Sequence, residues 1–320
     1  RCNTCHHDNQ TSSVITPMTL DQLKAFVAVV EHGSIRSAAR SLGVAQSGLT
    51  KQIKRLEQTI GMQLFVRASS GIVLTGYATT LLARARIILS ECARAEQDVI
   101  GLRGAISGKI NVGTSSEAFA RLMLKSIGQL REAHPALSMH IASGPSSLLL
   151  SALREGKLDF VVTLISKNSD MTDLTSLCLA RSSPKILCRR GHELANKTTI
   201  HDLVGCEWVN TGQLSQEGTP SNRLGDWFVQ NGLPKPTIAV SVESLIDTLN
   251  LVSNSNYLFL GPEYVLNQSG IADKLSAIPV KEEIPDSDIC LVQRSAVPLT
   301  PGAQAFASML VSYNRMTHSG

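Results

Sequence analysis

Residues 33–57 read GSIRSAARSLGVAQSGLTKQIKRLE, and this stretch decides the nature of the N-terminal part of the chain. Ser34 is a good N-cap acceptor. After it, Ala38, Ala39 and Leu42 fall on one helical face. Gly43 makes a tight turn, with Val44 expected to point into a small core. A further helix places Leu49, Ile53, Leu56 and Ile60 inward and ends at Gly61. That leaves Gln46, Ser47, Thr50, Lys51 and Lys54 facing outward.

Upstream, Leu20, Leu23, Phe26, Val27 and Val30 recur at three- and four-residue steps up to Gly33, which ends a first helix. Three short helices with a glycine turn between the last two describe a helix-turn-helix. Downstream, Gln63–Arg67 and Gly71–Thr75 read as two strands around Ala68-Ser69-Ser70, a hairpin wing. A plain three-helix interaction bundle is the alternative, but the polar and basic residues concentrate on one helix. The expected unit is a winged helix-turn-helix over residues 18–75. Glutamine can pair bidentately with adenine, and Ser or Thr can reach base edges or phosphate. Residues at the start of a recognition helix are the ones that reach bases. Gln46, Ser47 and Thr50 are therefore the candidate base readers, and Lys51, Lys54 and Arg55 suit phosphates. Ser34 and Arg36 on the preceding helix, and Arg67 in the wing, complete the candidate double-stranded DNA contacts.

Charge supports this placement. From Met18 to Thr75 there are seven basic side chains and three acidic ones, an excess equal to the +4 of the whole chain. A basic head on a neutral body is the electrostatic footprint of a phosphate binder. The 320 residues are 43 % hydrophobic, enough for two or three packed domains, and 18 % charged, too few for a disordered chain. No apolar run reaches the roughly 18 residues of a spanning helix, so no membrane contact is expected. Seven scattered cysteines fit reduced thiols in a cytoplasmic protein.

Residues 1–17 contain Cys2-Asn3-Thr4-Cys5-His6, a literal haem-attachment pattern. It is set aside because no export signal precedes it. A zinc site lacks a second cysteine pair. No cofactor and no metal are expected. The segment reads as a disordered or vector-derived extension before a natural start near Met18.

From Gly76 one long helix is expected to about Arg103, within a linker of residues 76–104. Leu81, Ala85, Ile88, Cys92, Ala95, Val99 and Leu102 alternate steps of 4 and 3, a heptad seam for a dimeric coiled coil. A dimer would set two reading heads in adjacent major grooves, about 34–36 Å apart.

Residues 108–316 alternate strands and helices, which implies parallel strands with crossover helices. Expected strands include Lys109–Gly113, Leu137–Ile141, Asp159–Thr163, Lys185–Cys188, Glu207–Asn210, Thr237–Val240 and Tyr257–Leu260. Two lobes follow, about 108–180 with 283–316 and about 181–282. Ligands of open α/β sheets sit beyond the carboxyl ends of strands, on helix N-termini. Those points give Thr114, Ser115, Ser116, Gly144, Ser146, Thr163, Thr211 and Glu243 as the effector candidates. Uncharged hydroxyls and helix N–H groups would form a neutral cradle for a carboxylate or sulfonate. The alternative is that each Ser or Thr caps its own helix.

The run Leu23, Phe26-Val27, Gly33-Ser34, Ala38-Ala39, Leu42, Val44, Gln46, Leu49, Gln52-Ile53, Leu56-Glu57, Gly61, Leu64-Phe65, Arg67 and Leu74-Thr75 closely resembles the head of LysR-type transcriptional regulators. It departs at Ala45-Gln46-Ser47-Gly48-Leu49-Thr50, where that family usually has Ser-Gln-Pro-Ala-Leu-Ser. His134-Pro135 and Leu153–Asp159 resemble the effector domain of the same family. Ser253-Asn254-Ser255-Asn256 departs from its usual glycine-rich run. The resemblance implies an α plus α/β chain with a winged helix-turn-helix, a long linker helix and a two-lobed periplasmic-binding-protein-like domain. It further implies a small-molecule effector held between the lobes and a homo-oligomer paired through the linker, assembled as a tetramer. No Gly-x-Ser-x-Gly elbow, phosphate-binding glycine loop or His-Glu-x-x-His is present, and an enzyme or solute receptor is the less favoured reading.

Overall fold

The computed structural model describes residues 17–68, 71–101, 106–212 and 220–318. The haem-like motif, the wing tip at Ser69-Ser70, the seam position Leu102 and the side chain of Arg67 lie outside the described features. The chain forms two compact units that divide after Ala93.

In the first unit, α1 (Leu20–His32) opens on a capping box between Thr19 and Gln22. The helices α2 (Ile35–Leu42) and α3 (Gln46–Ile60) follow, and glycines in the left-handed conformation close all three. The strands β1 (Phe65–Ala68) and β2 (Gly71–Leu74) pair antiparallel as the wing. The core gathers Leu23, Phe26, Val29, Leu49, Ile53, Leu56 and Leu64. Phe26 meets Phe65 at 5.6 Å between ring centroids. Glu57 accepts the Leu64 N–H at 2.9 Å and Thr75 donates to the Gln63 carbonyl, so α3, the wing and the next helix are pinned together.

Two readings of this core are corrected. Leu42 and Val44 are largely exposed. The N–H of Val44 bonds back to Ala39 to close α2, and that cap turns the side chain out. The helix α4 (Gly76–Gly101) has 26 residues. Its first turns belong to the head: Ala78, Leu82 and Ala85 are buried in the head core, with Leu81 and Leu89 packed against it. Ala85 is thus covered by its own chain and is withdrawn from the dimer seam. Ile88 and Val99 remain exposed, Ala95 is exposed and Cys92 partly so.

In the second unit the strands are β3 (Gly108–Thr114), β4 (Leu137–Ser143), β5 (Phe160–Ile165), β6 (Leu174–Ser182), β7 (Pro184–Arg189), β8 (Glu207–Thr211), β9 (Thr237–Val242), β10 (Leu258–Pro262), β11 (Leu275–Ile278) and β12 (Ser287–Arg294). The helices are α5 (Ser116–Ala118), which runs through a π-helical turn at Phe119–Met123 into α6 (Leu124–Ala133), then α7 (Ser146–Arg154), α8 (Arg223–Gln230), α9 (Leu245–Ser253) and α10 (Pro301–His318). Two five-stranded sheets result, in the orders β4-β3-β5-β12-β6 and β11-β7-β10-β8-β9.

Strands β3, β4 and β5 pair parallel, as do β8, β9 and β10, whereas β12 runs antiparallel to β5 and β6. The nine-residue β6 has no counterpart among the expected strands. It lies at a sheet edge with residues 175–178 exposed, so its sequence lacks the apolar run of a buried strand. Central strands are buried on both faces. Phe160 and Val162 join α6 and α10 in one core, while Val161 packs on Leu149, Leu150 and Leu153 of α7. The second sheet repeats the scheme, with Trp208 and Leu258 against α8 and Val209 and Phe259 against α9.

Asp159 accepts from the Asn111 N–H at 2.7 Å and from Arg94 at 3.1 Å, a buried ion pair at the foot of the first sheet. Next to it, Gly113 lets β3 pass close to its neighbours. A Cβ there would stand 2.7 Å from Val161 and 2.8 Å from Leu158. Gly113→Ala is expected to lower unfolding stability by about 1–3 kcal/mol through overpacking. Urea denaturation reads this, and an unchanged midpoint would show that the strand has room to spare.

Candidate DNA interface and ligand cleft

The expected recognition element is α3. Its first residue follows Ala45, which offers no side-chain cap. Gln46, Ser47, Lys51 and Lys54 are exposed on it, as is Arg36 on α2. Thr50 is half-buried and its hydroxyl donates to the Gln46 carbonyl at 2.8 Å, leaving its oxygen as an acceptor. Ser34 caps α2 by accepting from Ser37 at 3.1 Å, which frees its O–H to donate. Among the described residues, no carboxylate is ion-paired with Arg36, Lys51, Lys54 or Arg55. Unpaired exposed cations around the start of one helix leave phosphate as their natural counterion.

The second unit holds a cleft of about 600 Å³ between its two sheets. Six of the effector candidates line it: Ser115, Ser116, Gly144, Ser146, Thr211 and Glu243. Two do not. Thr114 is fully buried and its hydroxyl donates to the Ser115 carbonyl at 3.0 Å. Thr163 is also buried and shares a 2.9 Å hydrogen bond with the Ser146 hydroxyl, so it acts through Ser146. Helix capping consumes part of the polar set. Ser115 caps α5 and Ser244 caps α9, but α7 begins after Pro145 with no side-chain cap, so its first N–H groups face the cleft edge unclaimed by a side chain. Thr211 donates to Thr248 at 3.1 Å.

The cradle is not neutral. Glu117, Arg223 and Tyr264 also line it. Glu117 is buried and fully engaged, accepting from Arg121 at 2.8 Å and from Ser182 at 2.7 Å. Arg223, at the start of α8, donates to Ser287 at 2.6 Å, while its Nε is buried without a partner. Burial pulls this guanidinium below its usual value, and the charges of Glu117 and Asp286 oppose that pull. Among the described residues no carboxylate lies at ion-pair distance from it. Glu243 is exposed at the rim. Arginine stays charged in such a site, so an unpaired buried donor there favours an anion.

Sequence comparison agrees with this layout. Residues 20–79 match the model of the bacterial regulatory helix-turn-helix of the lysR family, and residues 103–315 match the LysR substrate binding domain. The chain belongs to the LysR family of bacterial transcription regulators. It is a DNA-binding regulator with a substrate-binding domain, and no helix among the described residues is long and apolar enough to cross a membrane. A relative is the HTH-type transcriptional regulator TdcA of Escherichia coli K12, 26 % identical over 95 % of each chain. Similar folds are a full-length OxyR variant from Pseudomonas aeruginosa and CbnR complexed with its target DNA. The OxyR variant has a TM-score of 0.66 at 19 % identity, covering 94 % of this chain and 96 % of that one. CbnR has a TM-score of 0.65 at 20 % identity, covering 93 % and 100 %.

In this LysR-type chain the residues that sequence reasoning missed are the charged ones. Glu117 and Arg223 sit on helices, where a charged residue reads as solvated; only the position of Glu117 just after Thr114-Ser115-Ser116 hinted at the cleft. Burial, and then the Glu117 charge, push the Tyr264 hydroxyl up to about 12. Its unfolded value is about 10, so the folded chain keeps this proton longer than the unfolded one. The resulting stability is complete below about pH 10 and is lost as pH climbs towards 12. In an alkaline absorbance titration, Tyr264→Phe should remove a phenol that ionises near pH 12. Loss of a phenol titrating at the ordinary value of about 10 would contradict the half-buried placement.

Proposed function

We propose that the chain acts in the cytoplasm as a transcription regulator whose hold on DNA is set by a small anionic effector in the cleft beside Arg223. The observation that carries the reading is the Arg223 guanidinium, held by Ser287 on the wall of a cleft ringed by hydroxyls, with no carboxylate at ion-pair distance among the described residues. In the head, residues 18–75, Gln46 and Ser47 read base edges, and Arg36, Lys51 and Lys54 hold phosphates, with Ser34, Thr50 and Arg67 as supporting contacts. The linker, residues 76–104, pairs two copies through Ile88, Cys92, Ala95 and Val99, with Leu102 continuing the seam and Leu81 at its edge, and pairs of dimers give a tetramer. The sensor, residues 108–316, closes on the effector. By linkage, whatever affinity the effector adds to DNA binding, DNA returns to the effector. The relatives support this reading: they are named as transcription regulators, and one similar fold was solved on its target DNA.

Lys51→Ala should weaken binding to every DNA sequence and lower the salt slope by about 1. Gln46→Ala should relax sequence preference by about 1–3 kcal/mol at one position. Gel-shift titrations over a salt series measure both, and unaltered binding in both variants would remove α3 from the groove. Arg223→Gln should abolish the response to carboxylates and sulfonates in a thermal-shift panel while DNA binding persists. A full response in that variant would defeat the anion assignment.

A further inference from the structure

The cleft has a second chamber. A cavity of about 630 Å³ adjoins the Arg223 chamber, and Ser116, Ser143, Ile246 and Tyr264 line both. Phe119, Ala120, Ile141, Val265 and Ile271 form the apolar part of the second chamber's wall and Thr114, Gln268 and Ser269 its polar part, and no charged side chain is among the residues that line it. Phe119 and Ala120 belong to the π-helical turn between α5 and α6. Such turns recur where a helix must re-aim side chains at a functional site. Ile246 stands on the shared wall and is 58 % exposed, a large apolar side chain left in water next to an apolar hollow. Covering it is favourable in proportion to the area removed from water. The two chambers differ in charge: the first carries Arg223 with Glu117 and Glu243, the second has no charged side chain and a mostly apolar accessible wall.

We infer that the cleft takes an amphipathic anion, its acidic head on Arg223 in the first chamber and its hydrocarbon or aryl tail across Ile246 in the second. This rests on the reading of Arg223 as the anion contact, and it adds the chemistry of the tail. A short dicarboxylate or a sugar acid would leave the second chamber unfilled and Ile246 exposed. An uncharged apolar molecule would leave the Arg223 guanidinium on the cleft wall without a counter-charge. Only a molecule with one charged end meets both surfaces.

The test is calorimetric titration of the full chain with straight-chain carboxylates from butanoate to octanoate, and with octanol. Each methylene that enters the second chamber should tighten binding about fourfold. Arg223→Gln should weaken octanoate tenfold or more and leave octanol unchanged. Ala120→Phe, which fills the second chamber, should flatten the dependence on chain length while butanoate binding survives. Ile246→Asn, on an exposed residue that folding does not need, should flatten it in part. Equal affinities for butanoate and octanoate, or a length dependence untouched in both chamber variants, would overturn the tail site while an Arg223-dependent affinity kept the anion reading intact. Octanoate binding that ignores Arg223→Gln would overturn the head contact and the proposal with it. Binding by none of the probes would defeat both readings.

Discussion

Parallel pairing is the constraint from which the ligand site follows. Strands β3, β4 and β5 all end on one edge of their sheet, and β8, β9 and β10 all end on one edge of theirs. A parallel strand must be followed by a crossover, so helices begin at that edge. Each crossover brings free N–H groups and small polar residues to the strand ends. The chain passes between the sheets at Ser182–Pro184 and again between β11 and β12, which lets the two edges face one cleft. The hydroxyl-lined wall is thus a product of topology before it is a product of selection for any ligand.

What topology does not supply is the charge. Glu117 and Arg223 come from opposite sides of the cleft, and their environments separate them. Glu117 has two donors, one of them a cation, and is spent within the protein. Arg223 has one hydroxyl acceptor and an orphaned Nε. Buried charge is tolerated when it is paired. The asymmetry is why Arg223, and not Glu117, is the proposed contact for a ligand. The rim carboxylate Glu243, being solvated, is screened and weighs less than the desolvated guanidinium.

The head is legible in the sequence because its signals are local. Caps at Thr19 and Ser34, closing glycines and inward aliphatics lie within a few residues of one another, and each reading needs only helical periodicity. Val44 escapes that logic because a residue just past a C-cap glycine takes its direction from a backbone hydrogen bond, not from the helical period. In the sensor, the parallel strands announce themselves as apolar runs, but β6, half-exposed at an edge, does not. Thr163 falls at the right strand end and still misses the cleft wall, and Thr114 reaches only the second chamber. Side chains alternate faces along a strand, so choosing the correct loop does not choose the correct face. Arg223 leaves no local trace, since its burial arises from residues far apart in sequence, such as Ser287.

The same limit governs the linker. A heptad pattern reports which side of a helix is apolar, not which neighbour covers it. In α4 the one stripe serves two masters in turn. Around Ala85 it completes the head core, and a small residue is needed there because the helix lies close on Phe26-bearing packing. From Ile88 to Val99 the stripe leaves that core, with Ile88, Ala95 and Val99 exposed and Cys92 partly so. The first turns of α4 cannot turn relative to α3 without breaking the core that Ala78, Leu82 and Ala85 share with Leu49, Ile53 and Leu56. Heptad spacing alone therefore does not separate the part of α4 that folds the head from the part that is left uncovered.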